Sequence, residues 1–497
     1  MIYYQICMLT MPVKSPQNMP AGSKLLSMNG YGIMKKENVL LIDELKKELT
    51  MVPHVGFSMG QDNEEKQFTI YAENDKRLYI PRYYALQKFG LPDKCTIADG
   101  EHRPNMKFEG TLREQQLEPV NNFIEAATDP LKRGGIISVP CGFGKTIMSV
   151  YIACHFKKKT MFVSHKDFLN QQFLETVHKF VPNATIGIIK QSKVDIENKD
   201  FVIASLQSLA MRDYDIELFK QFGLVIIDEV HHLGAEVFSR AFGKLNVNMI
   251  LGLSATLNRK DGMRKVFESY IGKSVYKYAK KEKIAVNVEV HKYYTPDIEY
   301  SDTKLLWDGK PNAAAMINNI CSYLPRINYI IDILKRVLAS EPDRKVLILS
   351  ERRQQLTNIE KLVTCDMAVQ VGYYVGGLSQ TTLDESAQKQ IILATYQMAA
   401  EGMNIPTLNT VIFASPISDI QQSIGRILRE KPSERKYIPL CIDVLDEFSI
   451  FNRKGQARIK YYKTNDYNIQ YFIDHELIHE HKDESDIKKK YEFIDDE

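Results

Sequence analysis

At 497 residues, 44% hydrophobic and 26% charged, the chain has the composition of a globular protein with two or three domains, each large enough for its own core. A net charge of only +3 excludes a uniformly basic surface, so any nucleic-acid contact must be local. No apolar run approaches the ~18 residues of a membrane span, and seven scattered cysteines without a Cys-x-x-Cys pair argue for a reducing compartment and against a disulfide frame or cysteine zinc site.

The first residues lack the basic start of a secretory signal. Met28 and Met34 are in-frame alternative starts, so some of the first 33 residues are expected to be poorly ordered or not natively made. Residues 37–50 read as an amphipathic helix, and 67–81 alternate like strands. Arg77, Tyr79, Arg82, Tyr83 and Tyr84 then interleave cations and aromatics before Lys88. Such a set suits base stacking and phosphate binding, or equally a tyrosine-rich core packed on the adjoining domain. The Gly/Pro-rich stretch 91–110 marks a boundary.

From about 111 to 280, β-branched runs at 136–139, 160–164, 201–204, 224–227 and 250–253 alternate with helical patterns, which implies a parallel sheet covered on both faces. After the basic stretch Lys277–Lys283, which reads as a solvated face, the alternation resumes at 346–349, 391–394, 410–413 and 438–442. Trp307, the only tryptophan, sits in a polar stretch before Gly309 and carries no functional reading.

The loop Val139-Pro140-Cys141-Gly142-Phe143-Gly144-Lys145-Thr146 lies between a strand-like run and a helix-like run. That arrangement cradles the phosphates of a nucleoside triphosphate: glycines admit the backbone, and the helix N-terminus aims its N–H groups at the anion. Lys145 is expected to reach the β- and γ-phosphates and Thr146 to ligate Mg²⁺. Val139 stands where the strict pattern has its first glycine.

In Leu224-Val225-Ile226-Ile227-Asp228-Glu229-Val230-His231-His232, two carboxylates end a buried strand, at the edge where open α/β sheets bind ligands. Asp228 suits Mg²⁺, and Glu229 suits orienting and deprotonating the attacking water. In Gln422-Ser423-Ile424-Gly425-Arg426-Ile427-Leu428-Arg429, the arginines three apart share one helix face. They read as arginine fingers, the bland reading being a basic face paired with Glu430 or Glu434. Loop and fingers fall in different lobes, so hydrolysis is expected to require closure. His475-Glu476-Leu477-Ile478-His479, with His481 close by, matches a zinc-protease pattern if helical, but a polar helix in a charged tail is the favoured reading.

These motifs resemble those of the superfamily 2 helicases of the DExH type, over roughly residues 110–470. The resemblance implies two tandem RecA-like parallel-sheet lobes, an α/β fold, with a small N-terminal α+β module. It implies ATP and Mg²⁺ as cofactors. Leu112-Arg113-Glu114-Gln115-Gln116 looks like the adenine-reading segment, with Gln116 on the base and Arg113 stacking on it, and the superfamily tolerates residues other than glycine at Val139. Phe162-Val163-Ser164-His165-Lys166, Ser205 and Gln207, Leu349-Ser350-Glu351-Arg352-Arg353 and Thr395 resemble its nucleic-acid-tracking motifs. Leu253-Ser254-Ala255-Thr256 resembles the element coupling ATP state to closure, and Gly402 and Asn404 stand in its Glu-Gly-x-Asp nucleotide contact with Asn404 replacing aspartate.

A finer resemblance is to the XPB-like branch, especially helicases of nucleocytoplasmic large DNA viruses. It rests on Ala255–Gly262, on Tyr373-Tyr374-Val375-Gly376-Gly377, and on the terminal pattern from Phe451 to Arg458-Ile459-Lys460-Tyr461-Tyr462. The loop Cys-Gly-Phe-Gly-Lys-Thr is similar to that of the poxvirus transcript-release helicase. The branch implies a 3′-to-5′ DNA translocase in viral transcription termination, with replication, repair or an RNA substrate as alternatives and a non-hydrolysing clamp less favoured. Transcription machinery is an expected partner, the chain is expected to be a monomer without membrane contact, and the virion or host cytoplasm is its expected location. The expected domains are 1–105 (accessory), 106–280 (first lobe), 281–470 (second lobe) and 471–497 (charged tail).

Overall fold

A computed structural model describes residues 22–53, 67–140, 142–230, 233–255, 262–278, 285–367, 369–401, 403, 405–430 and 434–478. The chain forms two compact units, Met1–Tyr278 and Ala279–Glu497.

The first unit holds an eight-stranded sheet in the order Lys193–Asp195, Ile186–Lys190, Phe201–Ser205, Thr160–Ser164, Leu224–Ile227, Met249–Ser254, Gly134–Ser138 and Ser274–Lys277. Every pairing is parallel except the outermost hairpin. Parallel strands covered on both faces read as unbroken apolar runs, and Leu224–Ile227 is such a run, fully buried along its length. Successive side chains alternate between faces: Val225 and Ile227 join one core cluster, Leu224 and Ile226 the other. The helices include Glu114–Thr128, Lys145–Phe156, Asp167–Phe180, Ala235–Phe242 and Arg264–Ile271.

A five-stranded sheet (Ala72–Glu73, Arg77–Ile80, Gly30–Met34, Lys24–Ser27, Lys94–Cys95) with the helices Val39–Glu48 and Arg82–Phe89 shares the first of these clusters. Of the cation–aromatic set, Arg82 and Tyr83 are buried and serve packing. Arg82 is buried and donates from Nη1 to the carbonyls of Val247 (2.8 Å) and Asn248 (3.1 Å). Tyr83 donates to the Arg133 carbonyl at 3.1 Å, over Gly134, where a Cβ would stand 2.4 Å from the Tyr83 hydroxyl. Arg77 donates to the Ser23 carbonyl at 2.8 Å, and Lys88 bridges the Tyr84 hydroxyl and Glu48.

The second unit repeats the plan: Val371–Tyr374, Ile391–Thr395, Val346–Ser350, Thr410–Phe413, Leu440–Asp446, Asn287–Tyr293 and Asn468–Ile473 run parallel, with Glu476–Ile478 antiparallel at the edge. These are two RecA-like lobes. The strand Leu440–Asp446 carries two buried carboxylates three residues apart, hence on opposite faces. Arg458 Nε meets both Asp443 oxygens at 2.8 and 3.0 Å, and Arg326 grips Asp446 through Nε at 2.8 Å and Nη2 at 2.9 Å.

Both helical readings of the His475–His479 motif, the favoured polar helix and the zinc site, are corrected over residues 475–478. Tyr471 pairs with Ile478 and Ile473 with Glu476, and the two turn residues, Asp474 (φ 48°) and His475 (φ 66°), are both left-handed, as a type I′ hairpin turn requires. His475 stacks on Tyr329 at 4.1 Å, and burial lowers its pKa. His479, His481 and the rest of the tail lie outside the described residues. Among the described residues, no helix is long and apolar enough to cross a membrane.

Candidate active site

Parallel register in the first unit sets Ser138 beside Ser254, Ile227 beside both Val163 and Gly252, and Ser205 beside Ser164. The C-terminal ends of five strands therefore share one edge, and each is followed by a motif singled out in the sequence.

Val139 continues its strand: its amide donates to the Ser254 carbonyl at 3.0 Å and its side chain is buried. Position 139 therefore needs no glycine, because the backbone turns later, at Gly142 (φ 81°) and Gly144 (φ 95°). Pro140 is half-buried, Gly142 is exposed, and Gly144 caps the helix that Lys145 and Thr146 begin. Phe143 is buried and packs edge-on against Tyr278, with ring centroids 5.2 Å apart, which fixes the loop from below. Cys141 lies outside the described residues.

Gln116 is buried, not poised on an open face. Its Oε1 accepts from the Arg113 amide at 2.9 Å, capping the helix N-terminus, and its Nε2 donates to the Phe143 carbonyl at 2.8 Å. The same Nε2 lies 2.3 Å from where a Cβ on Gly144 would stand, so this segment braces the loop directly. Arg113 itself is exposed.

Lys145 Nζ stands 3.0 Å from Glu229 Oε1, with both side chains largely shielded. Glu229 occupies the left-handed region (φ 47°), a strained backbone for a non-glycine residue. Its amide donates to Asp228 Oδ1 at 2.9 Å. Burial, and then the neighbouring Glu229 charge, push the Asp228 carboxyl up to about 7, against the opposing pull of Lys145 and the Glu229 amide.

An unfolded aspartate titrates near ~3.9, so the native state binds this proton more tightly than the unfolded chain does. The ionised carboxylate therefore costs stability progressively as pH rises from that value, fully above about 7. Asp228→Asn keeps an acceptor for the Glu229 amide and carries no charge. Scanning calorimetry of the nucleotide-free variant is expected to show a raised Tm at pH 8 that fades toward acid, while an equal gain at every pH would contradict this origin.

His165 and Lys166 follow the strand Thr160–Ser164, where the Ser164 hydroxyl donates to Asn170 Oδ1 at 2.7 Å, with the Lys166 carbonyl a second acceptor within reach at 3.1 Å. Burial lowers the Lys166 pKa. Ser205 and Gln207 open the adjoining strand end, with Gln207 exposed.

In the second unit Ser350 pairs with Thr395, so Arg352, Arg353 and Thr395 share an edge too. Arg352 Nε donates to Asn318 Oδ1 at 2.6 Å, and Arg353 donates to the Gly376 carbonyl. Gln422 lies in the helix Gln421–Ile424, which tightens to a 3₁₀ turn over Gly425–Leu428. Residues three apart eclipse in a 3₁₀ turn, but the expected single exposed face divides. Arg426 is buried and donates to the Met403 carbonyl at 2.7 Å, while Arg429 is half-buried. Gly402 and Asn404 lie outside the described residues.

Sequence reasoning passes over two supports. Tyr278 falls in a basic run that reads as solvated, although an aromatic inside such a run is a signal of packing. Asn318, the partner of Arg352, gives none, because only tertiary packing brings them together.

Two parallel-sheet lobes, the first opening its strand-end edge around a glycine loop and an Asp-Glu pair, define a nucleoside-triphosphatase of the tandem-lobed class. Residues 109–259 match the family described as the res subunit of type III restriction enzymes, and residues 327–431 the helicase conserved C-terminal domain. A protein of Acanthamoeba polyphaga mimivirus, provisionally named an ATP-dependent RNA helicase, is 34% identical over 477 residues, covering 94% of this chain and 89% of the relative. An African swine fever virus protein with the same provisional name is 24% identical, covering 90% of this chain and 91% of the relative. A helicase-named protein of Invertebrate iridescent virus 6 is 25% identical, covering 72% and 82%. The chain belongs to the superfamily 2 helicases, ATP-hydrolysing enzymes, alongside those of nucleocytoplasmic large DNA viruses.

Proposed function

We propose that the chain is a nucleic-acid-stimulated ATPase that translocates 3′-to-5′ on DNA and separates strands during viral transcription, at transcript release. The observation that carries the ATPase half is the Lys145–Glu229 pair at 3.0 Å beside buried Asp228, under a loop with two left-handed glycines. Arriving phosphates draw Lys145 off Glu229, which leaves that carboxylate to orient and deprotonate water. Thr146 and Asp228 would hold Mg²⁺, whose charge would offset the cost of an ionised Asp228 and supply electrostatic stabilisation to the phosphoryl group. Pro140, Cys141, Gly142, Phe143 and Gly144 form the phosphate cradle, Arg113 stacks on adenine beside Gln116, and Gly402 and Asn404 contact the nucleotide. Gln422, Arg426 and Arg429 are the second unit's contributions to turnover, Arg426 donating to the Met403 carbonyl in this structure. His165, Lys166, Ser205, Gln207, Arg352, Arg353 and Thr395 track the strand backbone, which is read through phosphate and sugar rather than base.

DNA, the polarity and the transcription role rest on the resemblance to the transcript-release branch. An RNA substrate is the second reading, favoured by the names of the mimivirus and African swine fever virus relatives. Strand displacement on duplexes with 3′ or 5′ tails, in DNA and in RNA, tests both. ATP-dependent displacement of 3′-tailed DNA is expected. Displacement confined to RNA, or to 5′-tailed duplexes, would overturn the substrate or the polarity.

A further inference from the structure

The single tryptophan, which the site does not use, is 97% exposed in the second unit. It tips an ordered hairpin. The Asn312 amide donates to the Lys304 carbonyl and the Leu306 amide to the Lys310 carbonyl, both at 2.7 Å, and Leu305 faces Pro311 in an antiparallel bridge. The turn closes with the Gly309 amide on the Leu306 carbonyl at 2.9 Å, and Gly309 takes the left-handed conformation (φ 76°) that ends a three-residue hairpin loop. Lys310 pairs with Asp308 at 3.1 Å across the tip. A large apolar ring held at such a tip meets only water, which costs free energy unless something covers it.

The hairpin's position suggests the occupant. It belongs to the segment that leaves the C-terminal end of Asn287–Tyr293, a strand parallel to its neighbours. It therefore rises from the same sheet edge as Arg352, Arg353 and Thr395. The helix directly after it, Ala313–Ser322, supplies Asn318 to Arg352 Nε at 2.6 Å, which couples hairpin and strand-end segment. Its charges nearly balance, Asp302 and Asp308 against Lys304 and Lys310, so the tip neither attracts nor repels a phosphate backbone strongly. A neutral tip with one aromatic face suits a base rather than a phosphate.

We propose that Trp307 stacks on a nucleobase of the single strand engaged by the second lobe. The proposal rests on the nucleic-acid-tracking role of that lobe's strand-end edge, and adds a base contact to an otherwise backbone-reading surface. Base–aromatic stacking tolerates any sequence, and unlike phosphate contacts it depends weakly on salt.

Because Trp307 is the only tryptophan in the chain, its emission reports the contact directly. Oligothymidylate and, separately, oligouridylate are titrated into the full-length protein, with Trp emission and the anisotropy of a labelled oligonucleotide followed together. Quenching that saturates with the anisotropy is expected. Trp307→Ala is expected to weaken binding by about 10-fold, with the salt slope unchanged, and Trp307→Phe to retain most of the affinity. ATP turnover without nucleic acid is expected to be unaltered in both. Binding by anisotropy without change in Trp emission, or unaltered affinity in Trp307→Ala, would overturn the stacking contact, leave the tracking role intact, and point instead to a protein partner over Trp307 and its exposed neighbours Leu305 and Leu306. Absence of any anisotropy change would overturn both.

Discussion

Replacing Glu229 with Gln is expected to lower saturated ATP turnover by ~10²–10⁴-fold, the range lost with a general base. The substitution keeps the side chain's size and removes the charge that holds Lys145 at 3.0 Å. Phosphate then no longer competes with the Glu229 charge for Lys145, so ATP binding is expected to hold or tighten while turnover falls. Lys145→Ala behaves differently, because it removes a phosphate contact and leaves Glu229 without that partner in a shielded site, so binding and turnover both suffer. Phosphate-release kinetics beside nucleotide titration separate the cases. A Glu229→Gln protein that retains more than about a tenth of wild-type stimulated turnover is incompatible with Glu229 as the base.

Arg326→Met is expected to destabilise the second unit by about 3–5 kcal/mol, since it strands a fully buried carboxylate. The guanidinium holds Asp446 through two nitrogens, at 2.8 and 2.9 Å, and also donates to the carbonyls of Ala414 and Val444. Tyr300 donates to the same carboxylate. For a unit of this size the loss corresponds to a fall in Tm on the order of 10 °C. Adding Asp446→Leu to Arg326→Met is expected to restore part of it, because an apolar pair avoids the desolvation that the ion pair must overcome. Calorimetry of both variants checks this, and a single variant that melts within about 2 °C of wild type would contradict it.

How much of this was legible in the sequence depended on where each signal resides. Interior parallel strands were plain, because burial on both faces demands unbroken apolar runs such as Leu224–Ile227. Strands at or next to a sheet edge, such as Ile186–Lys190, Ser274–Lys277 and Asn468–Ile473, with mixed burial, carried no such signature. The glycine loop was readable, Val139 included through the resemblance, and the strand pairing that buries that residue adds the physical reason no glycine is needed there. The cation–aromatic run at 77–84 was ambiguous in one dimension, since stacking and packing use the same residue types. Arg82, buried and bonded to carbonyls more than 160 residues away, belongs to the packing. The hairpin at Asp474–His475 overrode a helical motif because two successive left-handed residues cannot continue a right-handed helix. Likewise Arg426 and Arg429 looked equivalent at three-residue spacing, yet one is buried on the Met403 carbonyl.

The central claim, that nucleic acid drives ATP hydrolysis at the Lys145–Glu229 site, meets its most direct test in steady-state ATP turnover of the wild-type chain with and without single-stranded DNA or RNA. Turnover is predicted to be slow alone and to rise several-fold with at least one nucleic acid. A rate that is the same with and without every nucleic acid, or that never exceeds spontaneous hydrolysis, would contradict the account.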